Sequence, residues 1–212
     1  MVTKAKLSKL LSLKQETLIF KDLNLTNLRY VDFSGLKLVN VCFDDCFLSC
    51  ADFTGTYIKD ASFQNVSARN CVFKRSSIQS SIFTNTDFDK SNFYGAEIVN
   101  SNFNLSNFAY SKFTFANIID SKFINVNFRY VDLHYGYLNE VTFTDSNLES
   151  AIIPEITKEQ IVSFLNSNLS DTDYEYMTKT QNDIQNFESA KVENDVEKLV
   201  NVTKKTIVKF IR

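Results

Sequence analysis

Apolar positions along this chain recur every five residues. In residues 91–110, SNFYG AEIVN SNFNL SNFAY, a small residue opens each five (Ser91, Ala96, Ser101, Ser106) and a large apolar residue stands third (Phe93, Ile98, Phe103, Phe108). The remaining positions are mostly polar or variable. Neither the 3.6-residue period of a helix nor the two-residue period of a strand yields this pattern. A fixed short period held over many units signals a solenoid. The third-position residue keeps its spacing from Leu18 to Ile153 without insertion or deletion, and every such centre is Leu, Ile or Phe except Ala68. Two inward slots per five residues, one large and one small, can fill a narrow interior without voids.

The centres also sort by a period of twenty. One column reads Leu18, Leu38, Ile58, Ile78, Ile98, Ile118, Leu138, all aliphatic. The next reads Leu23, Phe43, Phe63, Phe83, Phe103, Phe123, Phe143. The third is Leu28, Leu48, Ala68, Phe88, Phe108, Phe128, Leu148, and the fourth is Phe33, Phe53, Phe73, Phe93, Phe113, Leu133, Ile153. Columns of one residue type are what axial stacking selects, because side chains one coil apart sit about 4.8 Å from each other. Four units per coil give about seven coils. Ala68 reads as a packing adjustment, since cores trade large residues against small ones.

Segments such as Ala51-Asp52-Phe53, Ser91-Asn92-Phe93, Ser106-Asn107-Phe108 and Val131-Asp132-Leu133 resemble the A(D/N)Lxx motif of pentapeptide repeat proteins. The resemblance implies an all-β solenoid, a right-handed quadrilateral β-helix with one repeat on each face, over residues 16–153.

The ends read differently. Residues 1–15 place Leu7, Leu10 and Leu11 on one helical face with lysines off it, which suits an N-terminal cap on an open solenoid end. A basic contact arm is the alternative. The register is expected to stop at Pro154. Thr157-Lys158-Glu159-Gln160 has the pattern of a capping box and predicts a short helix to about Asn166, followed by polar turns. From about Gln181 the chain reads as a helical extension, with Val196, Leu199, Ile207 and Phe210 in a broken apolar stripe. Residues 154–212 thus form a helical C-terminal module that docks on the rod or joins two chains as a homodimer; related proteins favour the dimer.

Composition narrows the chemistry. Phe 20 and Trp 0 point to one structural slot reused many times. Net charge is −2, without the basic footprint that direct nucleic-acid binding needs. No apolar run is long enough for a membrane helix, and the N-terminus lacks the core and cleavage site of a signal peptide, so the expected location is cytoplasmic. Cys42, Cys46, Cys50 and Cys71 do not match zinc-ligand spacing; Cys46 and Cys71 fall in the small-residue slot, as small hydrophobes. His134 is the single histidine, and no triad, phosphate loop or metal set surrounds it. Neither catalysis nor a cofactor is expected.

Function then rests on outward residues. Tyr110, Phe115, Tyr130 and Tyr135 close their repeats near Arg129 and His134, and clustered exposed aromatics mark contact surfaces. An acidic group (Asp44, Asp45, Asp52, Asp60) and a basic one (Arg69, Lys74, Arg75) read as an ordinary solvated surface. The family resemblance implies a protein partner. One candidate is DNA gyrase or topoisomerase IV, engaged by a Qnr-like mimic of DNA that modulates quinolone action. Residues 16–153 carry 15 acids and 11 bases, a net −4, which is weak for such mimicry. The alternative is an interaction scaffold or secreted bacterial effector that binds another protein through the aromatic band.

Overall fold

A computed structural model describes residues 18–19, 26–157 and 159–172. Among these residues fourteen short strands run in parallel and form two ladders. The eight-stranded sheet contains β1 (Leu18–Ile19), β3 (Val41–Cys42), β5 (Ser62–Gln64) and β7 (Ile82–Thr84), then β9 (Asn102–Asn104), β11 (Lys122–Ile124), β13 (Val141–Thr144) and β14 (Val162–Leu165), in that order. The six-stranded sheet contains β2 (Lys37–Val39), β4 (Tyr57–Lys59), β6 (Ser77–Gln79), β8 (Glu97–Val99), β10 (Asn117–Ile119) and β12 (Tyr137–Asn139). Two further faces are narrower and are tied by single parallel bridges, Asn27↔Phe47 through Asn147↔Asn168 and Asp32↔Asp52 through Asp132↔Ile152. From Asn27 to Ile152 each bridge advances twenty residues. The architecture is the expected four-faced β-solenoid.

The core is a stack of columns. Every centre from Leu28 to Ile153 is buried. Phe33, Phe53, Phe73, Phe93 and Phe113 stack at centroid steps of 4.5–4.7 Å. Phe43, Phe63, Phe83, Phe103 and Phe123 do the same. Neighbouring columns meet edge to face, as Phe33 and Phe43 do at 88°, so both favoured aromatic geometries occur in one cross-section. Ala68 is fully buried between Leu48 and Phe88.

The small slot does more than save space. The Ser91 hydroxyl donates to the Ala68 carbonyl at 2.9 Å and accepts the Cys71 N–H at 3.1 Å. The Ser101 hydroxyl likewise donates to the Val99 carbonyl and accepts the Ser81 N–H. A buried hydroxyl or amide left unpaired costs about 1–3 kcal/mol; here each satisfies the other across coils. Cys71 fits the same slot and donates its thiol to the Leu48 carbonyl at 3.0 Å.

Two expectations are corrected. The five-residue count does break after Ile153, but the solenoid does not end there, and the described residues between 157 and 166 form no helix. After one extra residue the chain re-enters the ladder, and β14 pairs with β13 as Val141↔Val162 and Phe143↔Phe164. Ser167 and Asn168, expected in polar turns, continue the buried slot and the bridge ladder. Half of the capping box forms, since Gln160 Oε1 accepts the Thr157 N–H at 2.8 Å. The Gln160 amide, however, donates to the Leu138 carbonyl at 2.6 Å. Asn139 Oδ1 accepts the Ile161 N–H. These side chains satisfy the edge of β12 where a seventh strand would lie, and they pin the segment to the solenoid. At the other end, β1 pairs Leu18 with Val41, three residues off the twenty-residue step that the sequence column assumes. The described residues contain no helix. The expected caps, residues 1–15 and the helical extension with Val196, Leu199, Ile207 and Phe210, lie outside them.

Candidate interaction surface

Each repeat turns the corner on its fifth residue. All fifth residues from Tyr30 to Ser150 have positive φ, between 49° and 65°. The turn aims their N–H groups along the rod: Tyr110 N–H donates to the Arg129 carbonyl at 3.0 Å and Phe115 N–H to the His134 carbonyl at 2.9 Å. This left-handed region costs an L-residue roughly 1–2 kcal/mol unless it is Gly, Asn or Asp. Most corners follow that preference, for example Asn65, Asn85, Asp120 and Gly95. Tyr110, Phe115, Tyr130 and Tyr135 do not, at φ 59°, 59°, 57° and 55°. Local backbone energetics would not choose them.

Neither does burial. Tyr110, Phe115, Tyr130 and Tyr135 are 54%, 51%, 42% and 60% exposed. They form two ridges on adjoining corners. The Tyr110 and Tyr130 rings stack at 4.9 Å and 8°, and Phe115 stacks on Tyr135 at 5.0 Å and 22°. Tyr94 meets Phe115 edge to face at 5.6 Å and extends the second ridge. The face between the ridges carries Lys112, Thr114, Asp132 and His134. Asp132 accepts from the Thr114 hydroxyl at 3.0 Å, from the His134 backbone at 2.9 Å and lies 3.0 Å from His134 Nδ1. Arg129 lies over the Tyr130 ring at 5.4 Å and pairs with Glu149 at 2.9 Å, and that carboxylate raises the guanidinium's pKa.

The six residues expected at the band fall into two contacting groups on adjoining corners, Tyr110 with Tyr130 and Arg129, and Phe115 with Tyr135 and His134. Sequence reasoning missed the Arg129–Glu149 pair, although the two stand twenty residues apart; Arg69 and Asp89 pair at 2.6 Å with the same spacing. The acidic group proves largely structural. Asp44 binds the Ser62 hydroxyl and the Gln64 N–H, and Asp52 accepts the Thr54 N–H.

The rest of the surface offers little chemistry. A shallow groove of about 450 Å³ lies beside Asn125, Asn127, Asp145 and Asn147, where Asn107, Asn127, Asn147 and Asn168 form side-chain hydrogen bonds. Among the described residues no group of His, Cys, Asp and Glu could hold a metal, and no helix is long and apolar enough to cross a membrane.

Comparison with known proteins agrees with the register. The family model of the pentapeptide repeat region matches residues 36–113, and that of pentapeptide repeats in eight copies matches residues 106–145. No curated protein matches the chain. Solved structures similar to it include HetL, a pentapeptide repeat protein involved in heterocyst differentiation regulation from Nostoc sp. strain PCC 7120. It is 10% identical, with 82% of this chain and 95% of that one covered and a TM-score of 0.45. Full-length QnrB1, a plasmid-mediated fluoroquinolone resistance protein, is 17% identical over 76% of this chain and 88% of its own, with a TM-score of 0.26. Rfr23 of the cyanobacterium Cyanothece 51142 is 13% identical over 67% and 86%, with a TM-score of 0.33. The unbroken five-residue register and the family models spanning residues 36–145 place this chain in the pentapeptide repeat family.

Proposed function

We propose that this chain is a non-enzymatic, cytoplasmic protein-binding module whose contact surface is the band of Tyr110, Phe115, Arg129, Tyr130, His134 and Tyr135. The observation that carries this reading is the coincidence of exposure and backbone cost. Aromatic residues cluster at corners where Asn or Gly would be easier, and their rings stay about half exposed. Corners whose backbone cost exceeds what one ring stack returns are where function is expected. Aromatics and Arg are also the side chains that dominate binding energy in protein interfaces. Affinity capture with the full chain, and with Tyr110→Ala/Tyr130→Ala, tests it. A partner bound by the first and lost from the second supports the band; a partner retained at equal level removes the band from function.

A narrower reading takes the partner to be DNA gyrase or topoisomerase IV, with quinolone action modulated. It draws on carboxylates that follow one another along one corner, Asp60, Asp120 and Glu140, although Asp120 raises the pKa of Glu140 and so weakens that charge. Ion pairing of Asp89 and Glu149 to arginines thins the acidic surface elsewhere. A supercoiling assay with and without ciprofloxacin decides: altered inhibition supports this reading, and no effect at micromolar protein ends it.

A further inference from the structure

We propose that the Arg29 guanidinium, lying on the Phe47 ring beside Tyr30, docks the carboxylate of an Asp or Glu side chain of a protein partner. The site is separate from the aromatic band and lies toward the other end of the same corner. It goes beyond the band by naming the chemical group recognised.

A repeated motif locates it. Asn27-Leu28-Arg29-Tyr30-Val31-Asp32 and Asn127-Phe128-Arg129-Tyr130-Val131-Asp132 differ only at the core position. They lie five coils apart on one face and corner, about 24 Å along the rod. The two copies share their backbone. Tyr30 and Tyr130 have φ of 59° and 57°, and the Asn side chain accepts the Arg N–H in each, at 3.4 and 3.2 Å. Arginines in this column of the face pair with the residue one coil ahead. Arg69 pairs with Asp89 at 2.6 Å and Arg129 with Glu149 at 2.9 Å, each twenty residues on. Ser49 stands at that place for Arg29, and its hydroxyl is engaged with the Ser67 hydroxyl at 3.1 Å. Among the described residues no carboxylate pairs with Arg29. The face thus builds one kind of carboxylate site three times and fills two of them itself.

The surroundings of Arg29 suit a partner. Its guanidinium lies over the Phe47 ring at 5.3 Å, so it too reaches one coil ahead. A planar fork held on a ring loses less freedom when a carboxylate binds. Phe47 is out of place by local rules, since the other bridge residues of this face are all Asn, Ser or Asp. Phe47 is 48% exposed, and Tyr30, on its left-handed corner, is 67% exposed. Arg and aromatic side chains dominate binding energy in protein interfaces, and the two rings border the charge-assisted hydrogen bonds that a carboxylate would make. Asp89 and Glu149 fill the sister sites with side-chain carboxylates, so an Asp or Glu side chain is the matching group.

Heteronuclear NMR of the arginine Nε–Hε groups in the full chain provides the test. The probe is acetyl-Leu-Glu-amide, with acetyl-Leu-Gln-amide as its neutral control. The expected result is a saturable shift at Arg29 at millimolar peptide, with the neutral peptide weaker by about fivefold or more. Arg75, another exposed arginine, should respond as weakly. Ser49→Glu copies the Arg129–Glu149 pair and should cut the Arg29 response by about fivefold or more with no loss of melting temperature. Arg29→Gln is a second variant, at an exposed position; line broadening read on the peptide itself should fall to the level of the neutral control. Equal shifts at Arg29 and Arg75 would mark ordinary ion attraction and overturn the proposal. So would an equal response to the neutral peptide, to inorganic phosphate or to the free C-terminus of acetyl-Leu-Gln, the absence of a saturable shift, or a response that survives either substitution in a folded chain.

Discussion

Tyr110 and Tyr130 lie one coil apart with rings 4.9 Å apart and nearly parallel, each on a left-handed corner. The stack contributes about 0.5–1.5 kcal/mol, while the two corners cost roughly 1–2 kcal/mol each. For a single substitution, the lost stack and the one relieved corner nearly cancel. Tyr110→Asn should therefore change stability by no more than about 1 kcal/mol in either direction by chemical denaturation. A loss of several kcal/mol would show that the ridge holds the fold.

Phe103 is the opposite case. It stacks on Phe83 at 4.5 Å and Phe123 at 4.7 Å, fully inside. Phe103→Ala should cost about 3–5 kcal/mol. Phe103→Asp would bury an unpaired carboxylate at mid-column and abolish cooperative unfolding. Calorimetry reads both, and a normal melting transition for the Asp variant would refute the column assignment.

Ser101→Ala isolates the serine bridge. The change removes the acceptor of the Ser81 N–H at almost constant volume, so about 1–3 kcal/mol of stability should be lost. Amide exchange at Ser81 should accelerate more than at neighbouring coils. Equal protection in wild type and variant would mean that the hydroxyl is only a spacer.

Burial pushes the Cys71 thiol up to about 12. A folded-state pKa raised above the unfolded value means that the neutral thiol's contribution is fully present below about pH 9. It is lost as pH rises through about 12. Iodoacetamide at pH 8 should modify the half-buried Cys42 and Cys50 before the buried Cys46 and Cys71, as read by peptide mass mapping. Early labelling of Cys71 would contradict its place in the slot.

The repeat made much of this legible. A twenty-residue step gives the Phe columns directly, and it also gives Arg129 beside Glu149 for anyone who looks one coil ahead. Val162 and Phe164 were hidden because one inserted residue breaks the count, and Thr157-x-x-Gln160 imitates a helix start. Its outcome depends on whether Gln160 finds its own turn or the Leu138 carbonyl, a tertiary contact that no local pattern contains. Leu18 was misplaced for a similar reason, since its pairing with Val41 spans twenty-three residues and not twenty. The band residues were legible as outward aromatics. Their significance was not, because it comes from the positive φ at each corner.

The most direct test of the account is one protein measured twice. Once a partner is in hand, Tyr110→Asn/Tyr130→Asn should melt within a few degrees of the unaltered chain and bind at least tenfold more weakly by calorimetric titration. Unchanged affinity in a fully folded variant would contradict the assignment of the band as the interaction surface.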